Sequence, residues 1–214
     1  MSEWSRYSVD GPAGALEVAV GGEESPRGVA VICHPHPLYG GTLDNKVAYT
    51  LARAVETRGL ASVRFNFRGV GNSEGAHDGG PGELDDALCA VEHARERFEG
   101  LPLMVAGFSF GGWIALHCAQ RVNPALLVTV APALRYDALG PRSRPSCPWY
   151  YVHGLADEVI AAEDNRPVLE GMEPPPEQLW LPDVGHFFHG HLTTLRQAVS
   201  GVVDARWTEL QGSV

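Results

Sequence analysis

The sequence predicts an α/β fold: a mostly parallel sheet with helices on both faces. Three observations carry that prediction. Gly28-Val29-Ala30-Val31-Ile32-Cys33 is apolar throughout, without polar alternation, as in strands buried on both faces of a parallel sheet. Segments of helical period lie between such runs, with Leu84, Leu88, Val91 and Phe98 on one stripe. Strands that alternate with helices in this way form parallel sheets with short crossovers. Finally, the strand-type run from Leu103 passes directly into a helical run through Gly107-Phe108-Ser109-Phe110-Gly111. The spacing G-x-S-x-G has a steric reason, because a serine at the tip of so tight a turn leaves no room for side chains two residues away on either side.

Taken in order, Tyr7 to Val20 reads as two short strands about the turn Asp10-Gly11-Pro12-Ala13-Gly14, a hairpin at one sheet edge. A polar loop, Gly21 to Pro26, leads into the apolar strand. A helix follows from Leu43 to Thr57, with Thr42 as N-cap and Gly59 as the stop. Leu60 to Phe67 is a strand, Gly69 to Gly82 a glycine-rich loop, and Glu83 to Phe98 a helix. After the serine turn come strand Leu126 to Val130, strand Trp149 to Val152, a helix from Ile160 to Leu169, strand Gln178 to Leu181 and a last helix from Leu192 to Leu210. No repeat, low-complexity tract or linker interrupts the 214 residues, so a single domain, 1–214, is expected.

Composition narrows the partners. A hydrophobic content of 44% with 20% charged residues fits a globular core, and the formal charge of −10 is spread rather than gathered in a tail. Nucleic acid and anionic membrane surfaces are poor partners for such a surface. The start, Met1-Ser2-Glu3-Trp4-Ser5-Arg6-Tyr7, lacks the apolar centre of a signal peptide, and no run reaches the length of a membrane span. Cys33, Cys89, Cys118 and Cys147 are far apart with no C-x-x-C pair, so no metal site or disulfide framework is indicated. A reduced cytoplasmic protein without metal or organic cofactor is expected, and the sequence sets no oligomeric state.

In parallel α/β sheets, ligands sit outside the carboxyl ends of the strands. Three residues at such ends form a nucleophilic set. Ser109 sits at the tight turn, Asp157 follows strand Trp149 to Val152, and His186 follows the strand beyond. A serine hydroxyl is a weak nucleophile until an imidazole takes its proton, and the imidazole needs a carboxylate to fix its tautomer. Glu158 and Asp164 are the rivals of Asp157, and His189 and His191 those of His186. His117 reads as a core histidine, His77 and His93 as loop and surface residues, and His153 as lining the site floor. Negative charge on a reacting oxygen would be held by the backbone N–H of Phe110 and by one from His34-Pro35-His36-Pro37-Leu38. Proline has no N–H, which leaves His36 first and Leu38 next.

Cys33-His34-Pro35-His36-Pro37-Leu38-Tyr39-Gly40-Gly41-Thr42, Phe65-Asn66-Phe67-Arg68-Gly69-Val70-Gly71-Asn72-Ser73 and the serine turn together resemble the small lidless bacterial α/β-hydrolases, similar to dienelactone hydrolases and carboxylesterases. The resemblance spans Val29 to His191 and implies an α/β-hydrolase fold in which the Arg68-Gly69-Val70-Gly71 turn is structural. Dienelactone hydrolases have cysteine at the turn where Ser109 stands here, and many relatives have His-Gly in place of His34-Pro35. The connection Ala131 to Cys147, interrupted by Pro132, Pro141 and Pro145, is too short for a cap domain. The expectation is a serine hydrolase of a small or short-chain carboxylic ester or thioester, with Tyr39, Trp113 and Phe187 as pocket residues. An acyltransferase or peptidase using the same residues, and a non-catalytic binding protein of this fold, are the alternatives.

Overall fold

The computed structural model describes residues 4–140 and 143–212 and places every strand in one eight-stranded sheet. Met1 to Glu3 and Pro141, used in the sequence reading, lie outside the described residues. The hairpin β1 (Ser5–Gly11) and β2 (Gly14–Gly21) forms one edge, and β2 runs antiparallel to β4 (Ala61–Phe65). From β4 the sheet continues in parallel through β3 (Val29–Cys33), β5 (Leu103–Phe108), β6 (Leu126–Val130), β7 (Trp149–Gly154) and β8 (Glu177–Leu181).

The apolar runs resolve into two cores because successive strand residues face opposite sides of the sheet. Val29, Val31, Val105 and Leu127 pack under α2 (Pro81–Arg97) and α3 (Phe110–Val122). Ala30, Ile32, Met104, Ala106 and Val128 pack under α1 (Lys46–Glu56) and α5 (Leu192–Gly212). The short α4 (Ala162–Glu170) adds Leu169 to the first core. Each buried Val, Leu or Ile contributes about 1.5–3 kcal/mol, against at most about 1 kcal/mol for an exposed ion pair. Core alternation, not surface charge, therefore fixes the register.

Two helix starts differ from the sequence expectation. α1 begins at Lys46, and its N-cap is Asn45 rather than Thr42, with Asn45 Oδ1 accepting from the Val47 and Ala48 N–H groups. The residues before it are held in another way: Leu43 N–H donates to Asn66 Oδ1 at 2.8 Å, and Leu43 O accepts from buried Arg64 at 2.6 Å. α2 begins two residues early, at Pro81, where a missing N–H costs nothing, and Glu83 accepts from Gly80 N–H at 2.7 Å. Between β6 and β7 the described residues form no helix or strand, so nothing of cap size stands over the sheet there. None of the described helices is long and apolar enough to cross a membrane.

Candidate active site

Ser109 occupies the turn between β5 and α3 with φ 55° and ψ −120°, a conformation costly for a residue with a side chain. The surroundings enforce it. Its N–H donates to Val130 O at 2.9 Å, and its carbonyl accepts from Gly112, Trp113 and Ala133. A Cβ on Gly107 would lie 2.1 Å from Gly111 O. On Gly111 the obstacle is the end of β3, with His34 O 2.2 Å and Cys33 O 2.4 Å away. The glycines thus serve different contacts: one lets the turn close on itself, the other lets the β3 loop lie against it.

The loop after β7 brings Asp157 to this turn, and the loop after β8 brings His186. His186 Nε2 is 3.1 Å from Ser109 Oγ, and its Nδ1 is 2.7 Å from Asp157 Oδ2. All three residues are buried. A carboxylate can only accept, so His186 carries its proton on Nδ1 and offers the Nε2 lone pair to the serine hydroxyl. Asp157 Oδ1 accepts from Val159 N–H at 2.9 Å and Ile160 N–H at 2.7 Å. Burial opposes ionisation of Asp157, but donors from His153, His186 and Ile160 N–H outweigh it and hold the carboxyl well below the usual range. Of the rivals, Glu158 accepts from His186 N–H at 3.3 Å, while Asp164 lies on α4. His189 and His191 follow His186 further along the loop, and His191 N–H donates to Phe188 O at 2.9 Å.

The loop after β3 supplies the opposite wall. His36 caps a single 3-10 turn, Pro37–Tyr39, through Nδ1, which accepts from Leu38 N–H at 3.2 Å. That bond commits the Leu38 amide and removes it as an oxyanion donor. Among the described residues, the amides of His36 and Phe110 have no acceptor, and the two rings lie 4.8 Å apart. Phe110 opens α3, where the first N–H groups have no partner within the helix and the helix dipole favours negative charge. His34 is fully buried; its Nε2 accepts from Phe67 N–H at 3.0 Å and its Nδ1 donates to Pro35 O at 2.6 Å. Burial lowers its pKa to about 4.

The expected pocket residues separate. Tyr39 is 85% exposed and Phe187 44% exposed. Trp113, by contrast, is enclosed between Phe110, His117 and Tyr136 and reaches no surface, because α3 turns that face inward. Leu38, Leu155 and Val159 are also exposed, so the loops after β3, β7 and β8 present an apolar rim. Phe187 and His189 close one side of a groove of about 360 Å³ whose other side is Gly40, Thr42 and Asn45. A concavity of about 530 Å³ runs along α5 past Trp149, Tyr150 and Arg206, and neither Ser109 nor His186 lines it. Burial pushes the Cys118 thiol up to about 12 and that of Cys147 to about 11, so neither competes as a nucleophile.

Sequence reasoning missed one group: Tyr151, His153, expected only to line the site floor, and Asn165 form a linked set whose His153 meets Asp157 Oδ2. Tyr151 and His153 share one face of β7, a spacing visible in the sequence, whereas nothing local marks Asn165.

Known proteins are similar to this chain. The family model described as Serine aminopeptidase, S33 (Hydrolase_4) matches residues 24–145. A structure from Xanthomonas campestris, described as an α/β serine hydrolase without lid, is 38% identical, with TM-score 0.88 over 95% of this chain and 94% of that one. An α/β serine hydrolase homologue from Coxiella burnetii is 38% identical, with TM-score 0.86 over 92% and 95%. An uncharacterized protein of Rickettsia prowazekii is 34% identical over 167 residues, 75% of this chain and 70% of that protein.

Proposed function

The chain belongs to the lidless α/β serine hydrolases, and on that premise we propose that it cleaves a small or short-chain carboxylic ester or thioester through an acyl-enzyme on Ser109. The observation that carries this reading is the unbroken hydrogen-bonded path from Ser109 Oγ through His186 to Asp157 at the head of a helix. Ser109 Oγ attacks the acyl carbon while His186 Nε2 takes its proton. The Phe110 and His36 N–H groups hold the resulting oxyanion, and Asp157 stabilises the imidazolium. His186 returns the proton to the leaving alcohol or thiol as its bond to the acyl carbon breaks. Water then attacks the acyl-enzyme, His186 again acting as base, and the carboxylic acid leaves with the serine restored. No step calls for a metal or an organic cofactor. The exposed Leu38, Tyr39, Leu155, Val159 and Phe187 on the loops after β3, β7 and β8 suit a short apolar acyl or leaving group better than a long buried chain.

A fluorophosphonate probe tests the reading. One adduct by intact mass, absent from Ser109→Ala, is the expected result, followed by turnover of short acyl p-nitrophenyl esters. Well-folded protein that takes no adduct would overturn it in favour of a binding protein. The family's description gives a second reading, a peptidase, which aminoacyl p-nitroanilides assayed beside the esters would separate.

A further inference from the structure

Asp157 lies on a loop, yet it is held from behind by a buried polar chain that the proposed reaction does not use. His153 is fully buried, and its Nε2 lies 3.2 Å from Asp157 Oδ2, the oxygen that also accepts from His186. The same Nε2 is 2.9 Å from Ile160 O. Both neighbours can only accept, so Nε2 must carry the proton: it donates to Ile160 O, and Asp157 Oδ2 lies beside the same N–H as a close polar contact. That leaves a lone pair on Nδ1, which accepts the Tyr151 hydroxyl hydrogen. Tyr151 Oη in turn accepts from Asn165 Nδ2 at 3.0 Å, and Asn165 Nδ2 also donates to Pro132 O at 2.8 Å. The Pro132 carbonyl fixes which way the Asn165 amide points, so the direction of every bond follows. The donors thus run in one direction, from Asn165 through Tyr151 to His153, whose Nε2 faces Asp157 Oδ2. Trp180 of β8 stacks on the His153 ring at 5.6 Å, and Arg166 of α4 covers Trp180 at 4.5 Å.

We infer that His153 is a positioning residue: its Nε2–H, set by Tyr151 and Asn165, holds Oδ2 of Asp157 in line with His186. This rests on the serine-hydrolase reading above. The physical need is clear from the surroundings. The Val159 and Ile160 amides grip Oδ1, whereas Oδ2, the oxygen facing His186, has no other protein anchor among the described residues. A carboxylate held at one oxygen can still rotate, and an imidazole displaced by a fraction of an ångström loses alignment with the serine hydroxyl. His153 also adds a donor that favours the carboxylate over the carboxylic acid.

The test compares His153→Leu, which removes the donor, with His153→Gln, which keeps an N–H at similar reach. Two signals are read: kcat and KM on p-nitrophenyl acetate, and the low-field ¹H NMR signal of His186 Nδ1–H in protein labelled with ¹⁵N-histidine. His153→Leu should lower kcat by about tenfold to a hundredfold with KM nearly unchanged, and should shift and broaden the Nδ1–H signal. His153→Gln should recover most of both. A folded His153→Leu with wild-type kcat and an unmoved signal would overturn the inference, as would a Gln variant no better than Leu. Should the Leu variant fail to fold, Tyr151→Phe removes only the hydroxyl that sets Nδ1. It should move the same signal in the same direction, and an unmoved signal there overturns the inference equally. Fluorophosphonate labelling of the wild-type protein is read separately. Its absence would remove the hydrolase reading, while the NMR signal would still report whether His153 orders Asp157 and His186.

Discussion

The serine turn and the Asp157 loop deliver side chains to the same point by opposite means. At the turn the position of Ser109 is dictated by backbone: its own amide and carbonyl are tied to β6 and α3, and two glycines admit carbonyls that no Cβ could face. At the Asp157 loop two backbone amides hold Oδ1, but Oδ2, the oxygen facing His186, is met from behind by side chains, His153 backed by Tyr151 and Asn165. A backbone-built site tolerates no change in the supporting residues, because its constraint is steric. A side-chain-built site can lose one donor and keep its fold. The same contrast governs what a sequence reveals: steric demands leave glycines at fixed spacing, and networks between distant elements leave no local pattern.

Substitutions can break that contrast or sharpen it. The largest effects belong to the reacting residues themselves. Ser109→Ala should lose at least about three decades of ester turnover, and Asp157→Asn roughly four, because the amide supports the wrong tautomer of His186. Both should keep the wild-type circular dichroism and melting temperature to within a few degrees, and a collapse of either would mean that the reacting groups also hold the fold. Gly111→Ala comes next and should behave otherwise. A methyl 2.2 Å from His34 O forces the β3 loop off the turn, costing about 3 kcal/mol, or about 6–12 °C in Tm, along with fluorophosphonate labelling. A stable, labelled Gly111→Ala would show that the turn is not built from backbone contact.

Acid should separate the two regions as well. His34 supports the β3 loop in its neutral form, since protonated Nε2 could not accept from Phe67 N–H. Its folded pKa of about 4 lies below the ordinary 6.5, so the unfolded chain binds the proton first. Stability is therefore full above pH 6.5 and lost as pH falls toward 4, by up to about 3 kcal/mol. Asp157, whose pKa is depressed below its ordinary 3.8, contributes stability above that value and loses it only at lower pH. Melting curves between pH 7 and pH 3, with an NMR titration of the His34 ring, should show the β3 wall failing first. A His34 ring that titrates near its ordinary value would reverse the order. The smallest effect is a control: Gly201, an exposed position of α5, meets nothing within 4 Å, so Gly201→Ala should raise stability by about 0.5–1 kcal/mol with activity unchanged.

Much of the fold was legible because it rests on period. Leu126–Val130 reads as the same strand from sequence and from structure, and the remaining strands differ only at their ends. The start of α1 was not, since Thr42 and Asn45 are equally good caps on paper and long-range bonds from Asn66 and Arg64 decide between them. Ser109, Asp157 and His186 could be named from the order of strand ends and lie within hydrogen-bond reach of one another. Trp113 shows the opposite limit. Its closeness in sequence to Ser109 suggested a pocket wall, but the rotation of α3 carries it into the core. His153 looked like floor, and only the tertiary arrangement of β7, α4 and β6 reveals what its two ring nitrogens touch.

On the proposed reading, the connection between β6 and β7, which forms no helix or strand among its described residues, bears on the fate of an acyl-enzyme. With no cap to close, each turnover escapes the wait for a lid to open or shut. Although Ser109 is itself buried, an acyl group on it would extend toward the exposed rim of the loops after β3, β7 and β8, where water outnumbers any alcohol or amine. Partitioning between hydrolysis and transfer is then set by concentration rather than by exclusion, and an organic acceptor wins only by binding beside the serine. On the proposed reading, that partitioning is what separates a hydrolase from a transferase.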